Sequence, residues 1–178
     1  GTLLADDPRL TVRLVPGNDP QSIILDTHLR TPPTARCLHN KRKPWLVTAN
    51  SLSSKVAPLH AAGAELLPGQ LNEQGQLALR PLLQQLADRG IRSIMVEGGA
   101  TVLRSFLQEG LAQAVVITIA PIFVGGLSAL GGNGASPLHQ PFPRLIAPKV
   151  FQLGDDTICY GQFASASMPT RAASQGEE

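Results

Sequence analysis

The segment from Leu77 to Gly110 constrains the fold more than any other part of this 178-residue chain. It opens with leucines at the spacing of one helix face, namely Leu79, Leu82, Leu83 and Leu86, and Gly90 supplies a stop. The apolar run "IRSIMV" (91–96) then has the length of a strand and ends on "EGG", after which a second helix pattern runs to Gly110. Helix, strand and helix in succession indicate an α/β fold.

The rest of the chain continues this alternation. Short apolar runs predict strands at Ser22–Leu25, Pro44–Ala49 and Ala64–Leu67, with a short helix that ends near Gly63 before the third. A further strand is predicted over 114–124, stopped or bulged by Pro121, and 149–163 predicts a hairpin that turns around "GDD" (154–156). The sequence therefore predicts a mostly parallel sheet flanked by helices, closed by a C-terminal antiparallel hairpin.

Length and composition set the domain organisation. We expect one domain over residues 1–163, a mobile glycine-rich loop over 125–137, and a small, polar, disordered tail over 164–178. With 15 basic and 13 acidic residues the net charge is +2, which argues against a nucleic-acid or membrane surface. Cys37 and Cys159 lie far apart, which favours two reduced thiols in a cytoplasmic protein over a disulfide. Neither the cysteines nor the four histidines have a metal-ligand spacing.

The glycine pair Gly98-Gly99 is the first candidate for a ligand contact. Glycines let backbone amides approach a ligand closely, and the helix that follows offers free N–H groups and a positive dipole end. A pyrophosphate would fit such a turn. The motif is neither the dinucleotide fingerprint nor a P-loop, and from the spacing alone a turn used only for packing is the favoured interpretation.

Four motifs in order carry a resemblance to a known family: "GTLLADDPRLTVR" (1–13), "ILDTHLRTP" (24–32), "VEGGATVLRSFL" (96–107) and "IAPIFVGG" (119–126). Together they resemble the pyrimidine reductase of riboflavin biosynthesis, which is either the C-terminal half of a bifunctional deaminase–reductase or a separate enzyme. The resemblance implies a dihydrofolate reductase-like fold, NADPH as the cofactor and a homodimer formed beside segment 149–163. It also implies a cis peptide bond between Gly98 and Gly99.

The resemblance implies a role for each matching residue. Thr2 and Asp6 are expected near the nicotinamide, and Asp6 is the candidate for assisting proton movement. Leu10, Arg13 and Glu97 are expected to bind the substrate, Arg13 through its phosphate and Glu97 through the pyrimidine amino groups. The cofactor would contact Thr27 and, through its phosphates, the stretch Gly98, Gly99, Ala100, Thr101, Val102, Leu103, Arg104 and Ser105.

Two basic groups are candidates for the 2′-phosphate of NADPH. One is Arg30, in the second motif, and the other is the run Lys41-Arg42-Lys43, for which a solvated loop is the competing interpretation. No Ser/His/Asp or Cys/His arrangement suited to nucleophilic catalysis is visible in the sequence.

The implied reaction is the NADPH-dependent reduction of a ribosylamino-pyrimidine 5′-phosphate to its ribitylamino form. Whether the substrate is the deaminated or the diamino pyrimidine stays open. Alternatives are a dihydrofolate reductase-type enzyme and an inactive nucleotide-binding or dimerisation module. Family members have further residues before "GTLLADDP", including a first strand, so we expect the sequence to be N-terminally incomplete. Whether a deaminase domain precedes Gly1 is also open.

Overall fold

A computed structural model describes residues 1–123, 125, 130 and 143–164 of the chain. The chain divides into two compact units, residues 1–98 and 99–178. The predicted loop over 125–137 and the predicted tail over 164–178 lie almost wholly outside the described residues. Among the described helices, none is long and apolar enough to cross a membrane.

The first unit is built on a three-stranded parallel sheet. Its strands are β1 (Ile23–Leu25), β2 (Trp45–Thr48) and β3 (Glu65–Pro68), paired side by side in that order. The helices of this unit are α1 (Thr2–Asp6), a 3-10 helix (Arg36–His39), α2 (Val56–Ala61) and α3 (Leu79–Asp88). The strands predicted at 22–25, 44–49 and 64–67 and the helices α2 and α3 are confirmed, whereas the short helix α1 was not predicted.

Both faces of the parallel sheet are covered, which is why its strands read as continuous apolar runs. Leu46 and Val47 are adjacent in β2 and therefore face opposite ways. Leu46 belongs to one core cluster, with Ile24, Leu29, Cys37, Leu38 and Leu59, and Val47 belongs to another, with Leu67, Leu77, Leu82 and Leu86. The leucine stripe of α3 thus packs where its spacing predicted, and Pro81 lies in the first turn of that helix, where proline is tolerated.

The predicted strand at Ile91–Val96 is wrong in this structure. The run has no regular secondary structure and pairs with no strand among the described residues, and the side chains of Ile94 and Met95 are 39% and 77% exposed. A strand needs a neighbour for its backbone N–H and C=O groups, and apolar composition alone does not provide one. Ile91 packs against the core, beside the α3 leucines.

The second unit contains α4 (Ala100–Gln108) and an antiparallel sheet. Its strands are β4 (Ala114–Ile119), β5 (Leu145–Leu153) and β6 (Asp156–Phe163), with β6 in the middle. The hairpin prediction is confirmed, because β5 and β6 turn through Gly154, whose φ of 62° suits glycine. β4 ends at Ile119, just before Pro121, as the sequence predicted.

Candidate active site

The loop after β1 lies at the carboxyl edge of the parallel sheet, where ligands of α/β proteins usually bind. Its first residue, Asp26, is only 7% exposed although it carries a carboxylate. One carboxylate oxygen accepts a hydrogen bond from the Arg30 amide at 2.9 Å. The other accepts from the Thr31 amide at 2.7 Å and from the Thr31 hydroxyl at 2.6 Å. Asp26 therefore fixes the loop from inside.

These hydrogen bonds decide the charge state of Asp26. Burial would by itself raise the pKa of the carboxyl, since it disfavours the charged form. The hydrogen bonds from Thr31 and Arg30, together with the positive charge of Arg30, outweigh burial and lower the pKa below its ordinary value. Asp26 is therefore a buried carboxylate that stays ionised at neutral pH and stabilises the loop in that form.

Two further features make the loop rigid. Leu29 is fully buried and has a φ of 50°, a left-handed conformation that leucine rarely adopts. The carbonyl of Thr27 accepts a hydrogen bond from the hydroxyl of Thr48, a buried residue at the end of β2. A strained residue persists only where its surroundings hold it, so the loop presents Thr27 and Arg30 in a fixed arrangement.

A cavity of about 370 Å³ lies against this loop. Its cationic side chains are Arg30, from the loop after β1, and Lys55, from the loop after β2, and Ser54 adds a hydroxyl. Pro32, Pro33 and Pro58 supply much of the apolar wall, and no carboxylate lines the cavity within the described part of the chain. The lining thus combines positive charge with apolar surface.

The N-terminal segment is attached to the same unit. Leu3 and Leu10 pack against the core cluster that contains Leu29, and the Leu10 carbonyl accepts a hydrogen bond from the Ser22 hydroxyl at 3.3 Å. Asp7 accepts from the Arg36 amide at 2.9 Å. Three residues with expected roles are exposed, namely Thr2, Asp6 and Arg13. Leu10 is thus held in place by packing, while the side chains of Thr2, Asp6 and Arg13 are exposed to solvent.

Glu97 and Gly98 end the first unit, directly after the unpaired run 91–96. The Glu97 side chain is exposed and has no hydrogen bond or ion pair within the described part of the chain. The carboxylate is consequently available to a ligand, but no neighbouring side chain of the described residues orients it. The cis geometry of the Gly98–Gly99 bond stays a prediction.

The stretch 99–105 begins α4 in the second unit. Gly99 precedes the helix with extended backbone, no side chain caps the helix, and its first turn has no acidic residue. The amides of Val102 and Leu103 already donate to the Gly99 carbonyl at 3.0 and 3.2 Å. The N–H groups of Ala100 and Thr101 are therefore those that this terminus offers to an anion.

Two side chains of the same stretch have partners within the second unit. The Ser105 hydroxyl donates to the Thr101 carbonyl at 3.0 Å, one helical turn back. One Arg104 nitrogen, Nη1, donates to the Leu130 carbonyl at 3.3 Å, while Nη2 is buried with no partner among the described residues. The stretch thus offers a ligand its backbone amides more directly than these two side chains.

Sequence reasoning did not identify Asp26 as the internal support of the loop, nor Ser54 and Lys55 as cavity residues. The sequence signal for Asp26 was an aspartate directly after a predicted strand, because Asp side chains commonly accept hydrogen bonds from nearby backbone amides. Among the described residues, no group of His, Cys, Asp and Glu side chains could hold a metal ion.

The first unit has a parallel sheet with a polar loop held at its carboxyl edge, and the second unit has a helix whose N-terminus lacks a side-chain cap. These features are typical of an α/β domain that binds ligands. The chain belongs to the family described as the RibD C-terminal domain, whose sequence profile matches residues 1–159.

Three proteins show the range of the similarity. The 2,5-diamino-6-ribosylamino-4(3H)-pyrimidinone 5′-phosphate reductase of Methanothermobacter thermautotrophicus is 35% identical over 88% of this chain and 74% of that protein. The riboflavin biosynthesis protein RibD of Aquifex aeolicus is 32% identical, over 89% of this chain but only 43% of its own length. The structure of Acinetobacter baumannii RibD matches 92% of this chain and 45% of its own, with a TM-score of 0.71 and 28% identity.

These similarities confirm the fold class predicted from the sequence, the dihydrofolate reductase-like α/β fold. The chain spans less than half of the RibD proteins but about three quarters of the archaeal reductase, 43% and 74% respectively.

Proposed function

We propose that this chain is a reductase of riboflavin biosynthesis that uses NADPH to convert a ribosylamino-pyrimidine 5′-phosphate into the ribitylamino compound. The observation that carries the proposal is the 35% identity to the archaeal reductase, which extends over 88% of this chain and 74% of that enzyme. A match of this extent includes the Asp26 loop and the start of α4, so it is not limited to core residues.

The donors of the chain fit a phosphorylated dinucleotide. The amides of Ala100 and Thr101, at an uncapped helix terminus without acidic neighbours, suit a pyrophosphate. The loop after β1 adds Thr27 in a fixed position. When bound, NADPH supplies the hydride that reduces C1′ of the ring-opened imine form of the substrate.

The residues of the chain bind and orient the substrate. Arg13 would bind the 5′-phosphate, because a guanidinium matches a phosphate with two parallel hydrogen bonds. Glu97 would accept hydrogen bonds from amino groups of the pyrimidine, and Leu10 would contact the substrate through its apolar side chain. Asp6 would hold or move the proton that accompanies the reduction. Thr2 would lie beside the nicotinamide.

The form of the pyrimidine is decided by comparing two substrates. The archaeal relative, which this chain matches over most of both lengths, is named for the diamino compound, and we propose that form as the preferred one. The test supplies each form with NADPH and follows NADPH oxidation together with the ribitylamino product. Faster turnover of the deaminated form would contradict this preference.

The same assay separates the reductase from its alternatives. Dihydrofolate serves as a third substrate, and its reduction would indicate a dihydrofolate reductase-type enzyme. Binding of NADPH with no product from any substrate would indicate a nucleotide-binding module, which the unpaired run 91–96 and the unsupported Glu97 make the second candidate. Formation of the ribitylamino product supports the proposed reductase.

We also propose that the enzyme acts as a homodimer in the cytoplasm. Support for the dimer comes from the antiparallel sheet, where Val116, Ile117, Ile119, Val150, Phe151 and Leu153 are large apolar side chains at least 45% exposed. Support for the compartment comes from Cys37 and Cys159, which are both free thiols. Light scattering over a range of concentrations, with Phe151→Asp as the disrupting variant and Lys149→Gln as the control, tests the dimer.

A further inference from the structure

We propose that Asp7 and Asn40 are positioning residues for substrate binding, because their side chains fix the backbone that carries Leu10 and Arg13. This inference rests on the proposed function, in which Leu10 and Arg13 contact the substrate. Neither Asp7 nor Asn40 is expected to touch a ligand. Both act on the substrate through the segment 7–13.

The 3-10 helix of the first unit holds the segment 7–13 at both of its ends. The amide of Arg36, its first residue, donates to Asp7 Oδ1 at 2.9 Å. Directly after its last residue, Asn40 Nδ2 donates to the Arg9 carbonyl. Two nearby points of the segment are therefore attached to one short helix by side-chain hydrogen bonds.

The 3-10 helix is itself fixed in the core of the unit. Cys37 and Leu38, in the middle of the helix, are at most 2% exposed. Both belong to the core cluster that contains Leu29, from the loop after β1. The segment 7–13 is therefore bonded to a support that packing already holds in place.

The backbone of the segment needs such a support. Asp7 and Leu10 have φ angles of 40° and 57°, in the left-handed region that leucine rarely adopts. A conformation of this kind persists only where the surrounding contacts hold it. Leu10 packs against the same core cluster, and its carbonyl accepts from the Ser22 hydroxyl at 3.3 Å. The contacts of Asp7 and Asn40 fix the other end of this turn.

A further contact fixes the backbone beside Arg13. The Val12 amide donates to Asp19 Oδ1 at 2.9 Å, which closes the loop that begins at Arg13. The Asp19 carbonyl in turn accepts from Nη1 of Arg42 at 3.5 Å. The basic run Lys41–Lys43 precedes β2 and so lies toward the amino edge of the sheet, where its central arginine supports this loop.

The position of the Arg13 guanidinium depends on this backbone. The side chain is exposed, and no residue in the described part of the chain forms an ion pair with it. An arginine on a backbone that is already ordered binds an anion at a lower entropic cost than one whose loop must first be ordered. Loosening the segment should therefore weaken substrate binding although the guanidinium is still present.

The variants remove the anchors and leave Leu10 and Arg13 unchanged. The double variant Asp7→Ala/Asn40→Ala removes both hydrogen bonds. Asp7→Asn keeps an acceptor oxygen and should behave nearly as the unmodified protein, whereas Asn40→Asp keeps the shape but loses the donor and should behave like Asn40→Ala. The matched control is Asn72→Ala, because the Asn72 side chain also holds backbone, accepting from two amides of the turn between β3 and α3 at 3.1 and 2.9 Å.

Binding of ribose 5-phosphate and of NADPH is measured by calorimetry with the full chain. The double variant should bind ribose 5-phosphate about 10- to 100-fold more weakly and NADPH within about threefold of the unmodified protein. Where turnover occurs, KM for the sugar phosphate substrate should rise in the same proportion. The value of kcat should change less, because saturating substrate restores the order of the segment.

Amide hydrogen exchange checks that the effect arises in the segment. Exchange over 8–13 should become faster in the double variant, while exchange in α3 stays unchanged. Asn72→Ala should leave exchange over 8–13 and the affinity for both ligands as they are in the unmodified protein. Lost affinity with unchanged exchange over 8–13 would contradict a positioning role.

Unchanged ribose 5-phosphate affinity in the folded double variant would overturn the proposal. An equal loss of both ligands, or the same loss in Asn72→Ala, would also overturn it, since either result indicates general destabilisation. An unmodified protein that binds no ribose 5-phosphate would leave Asp7 and Asn40 nothing to position and is likewise contrary. Because binding is measured without turnover, the expected binding pattern in a protein that forms no product contradicts the reductase assignment alone.

Discussion

Replacing Asp26 tests whether the loop after β1 is held from inside by one carboxylate. Its three hydrogen bonds, at 2.9, 2.7 and 2.6 Å, all end on a side chain that is 7% exposed. Hydrogen bonds to charged groups contribute about 1.5–3 kcal/mol each, and bonds that share one acceptor are not additive. We therefore expect Asp26→Ala to lower the free energy of unfolding by about 3–5 kcal/mol.

Asp26→Asn should lower the free energy of unfolding by less, about 1.5–3 kcal/mol. The asparagine amide keeps one acceptor oxygen, but its NH₂ group faces a group that donated a hydrogen bond to the carboxylate. The direction in which the stabilisation by Asp26 changes with pH follows from the pKa of its carboxyl. The folded pKa of Asp26 lies below the unfolded one, so the stabilisation is complete above the unfolded pKa and is lost as pH falls through the folded pKa. The difference in unfolding free energy between the unmodified protein and the Asp26→Asn variant should therefore shrink below about pH 4.

Urea unfolding followed by tryptophan fluorescence measures this effect in the right place. Trp45, the single tryptophan of the chain, lies in β2 and reports on the unit that contains Asp26. Glu73→Gln, at an exposed turn, is the control and should change stability by less than about 0.5 kcal/mol. An Asp26→Ala protein within about 1 kcal/mol of the unmodified protein would refute the reasoning, as would an Asp26→Asn difference that is independent of pH.

Three further changes have expected outcomes. Leu86 in α3 is 2% exposed, so Leu86→Ala should lower the free energy of unfolding in urea by about 2–5 kcal/mol. A decrease below about 1 kcal/mol would contradict the position of Leu86 in the core. Arg89→Ala removes a half-exposed ion pair to Glu65 and a contact with the Trp45 ring at 5.1 Å. The free energy of unfolding should therefore fall by about 1 kcal/mol or less in the same assay. Arg13→Ala should weaken substrate binding about 10- to 100-fold and leave NADPH binding nearly unchanged, and the reverse pattern in calorimetry would show that Arg13 serves the cofactor.

Hydrophobic periodicity correctly predicted the helices and strands whose apolar residues pack against other described residues. The leucines of α3 cover one face of the sheet, and the runs in β1, β2 and β3 are buried between two layers. The same reasoning failed for 91–96, because an apolar run specifies a strand only when another strand receives its hydrogen bonds. The sequence of 91–96 by itself does not tell whether a neighbouring strand is present to pair with it.

The candidate site was predictable in part. The motifs indicated Thr27 and Arg30, but the Arg30 and Lys41–Lys43 candidates could not be separated by composition, since both are basic groups beside a predicted strand. Their separation depends on which end of a strand each follows, and that is known only once the strands are located. The left-handed backbone of Leu29 had no signal at all, because leucine does not favour it.

Hydride transfer to the sugar carbon is the central claim, and isotope labelling tests it most directly. The protein is incubated with NADPH that carries deuterium at the transferred position, and with the ribosylamino-pyrimidine 5′-phosphate in its diamino and deaminated forms. Mass spectrometry should find one deuterium at C1′ of the ribitylamino product from at least one form. A protein that binds NADPH yet gives no labelled ribitylamino product from either form would contradict the account.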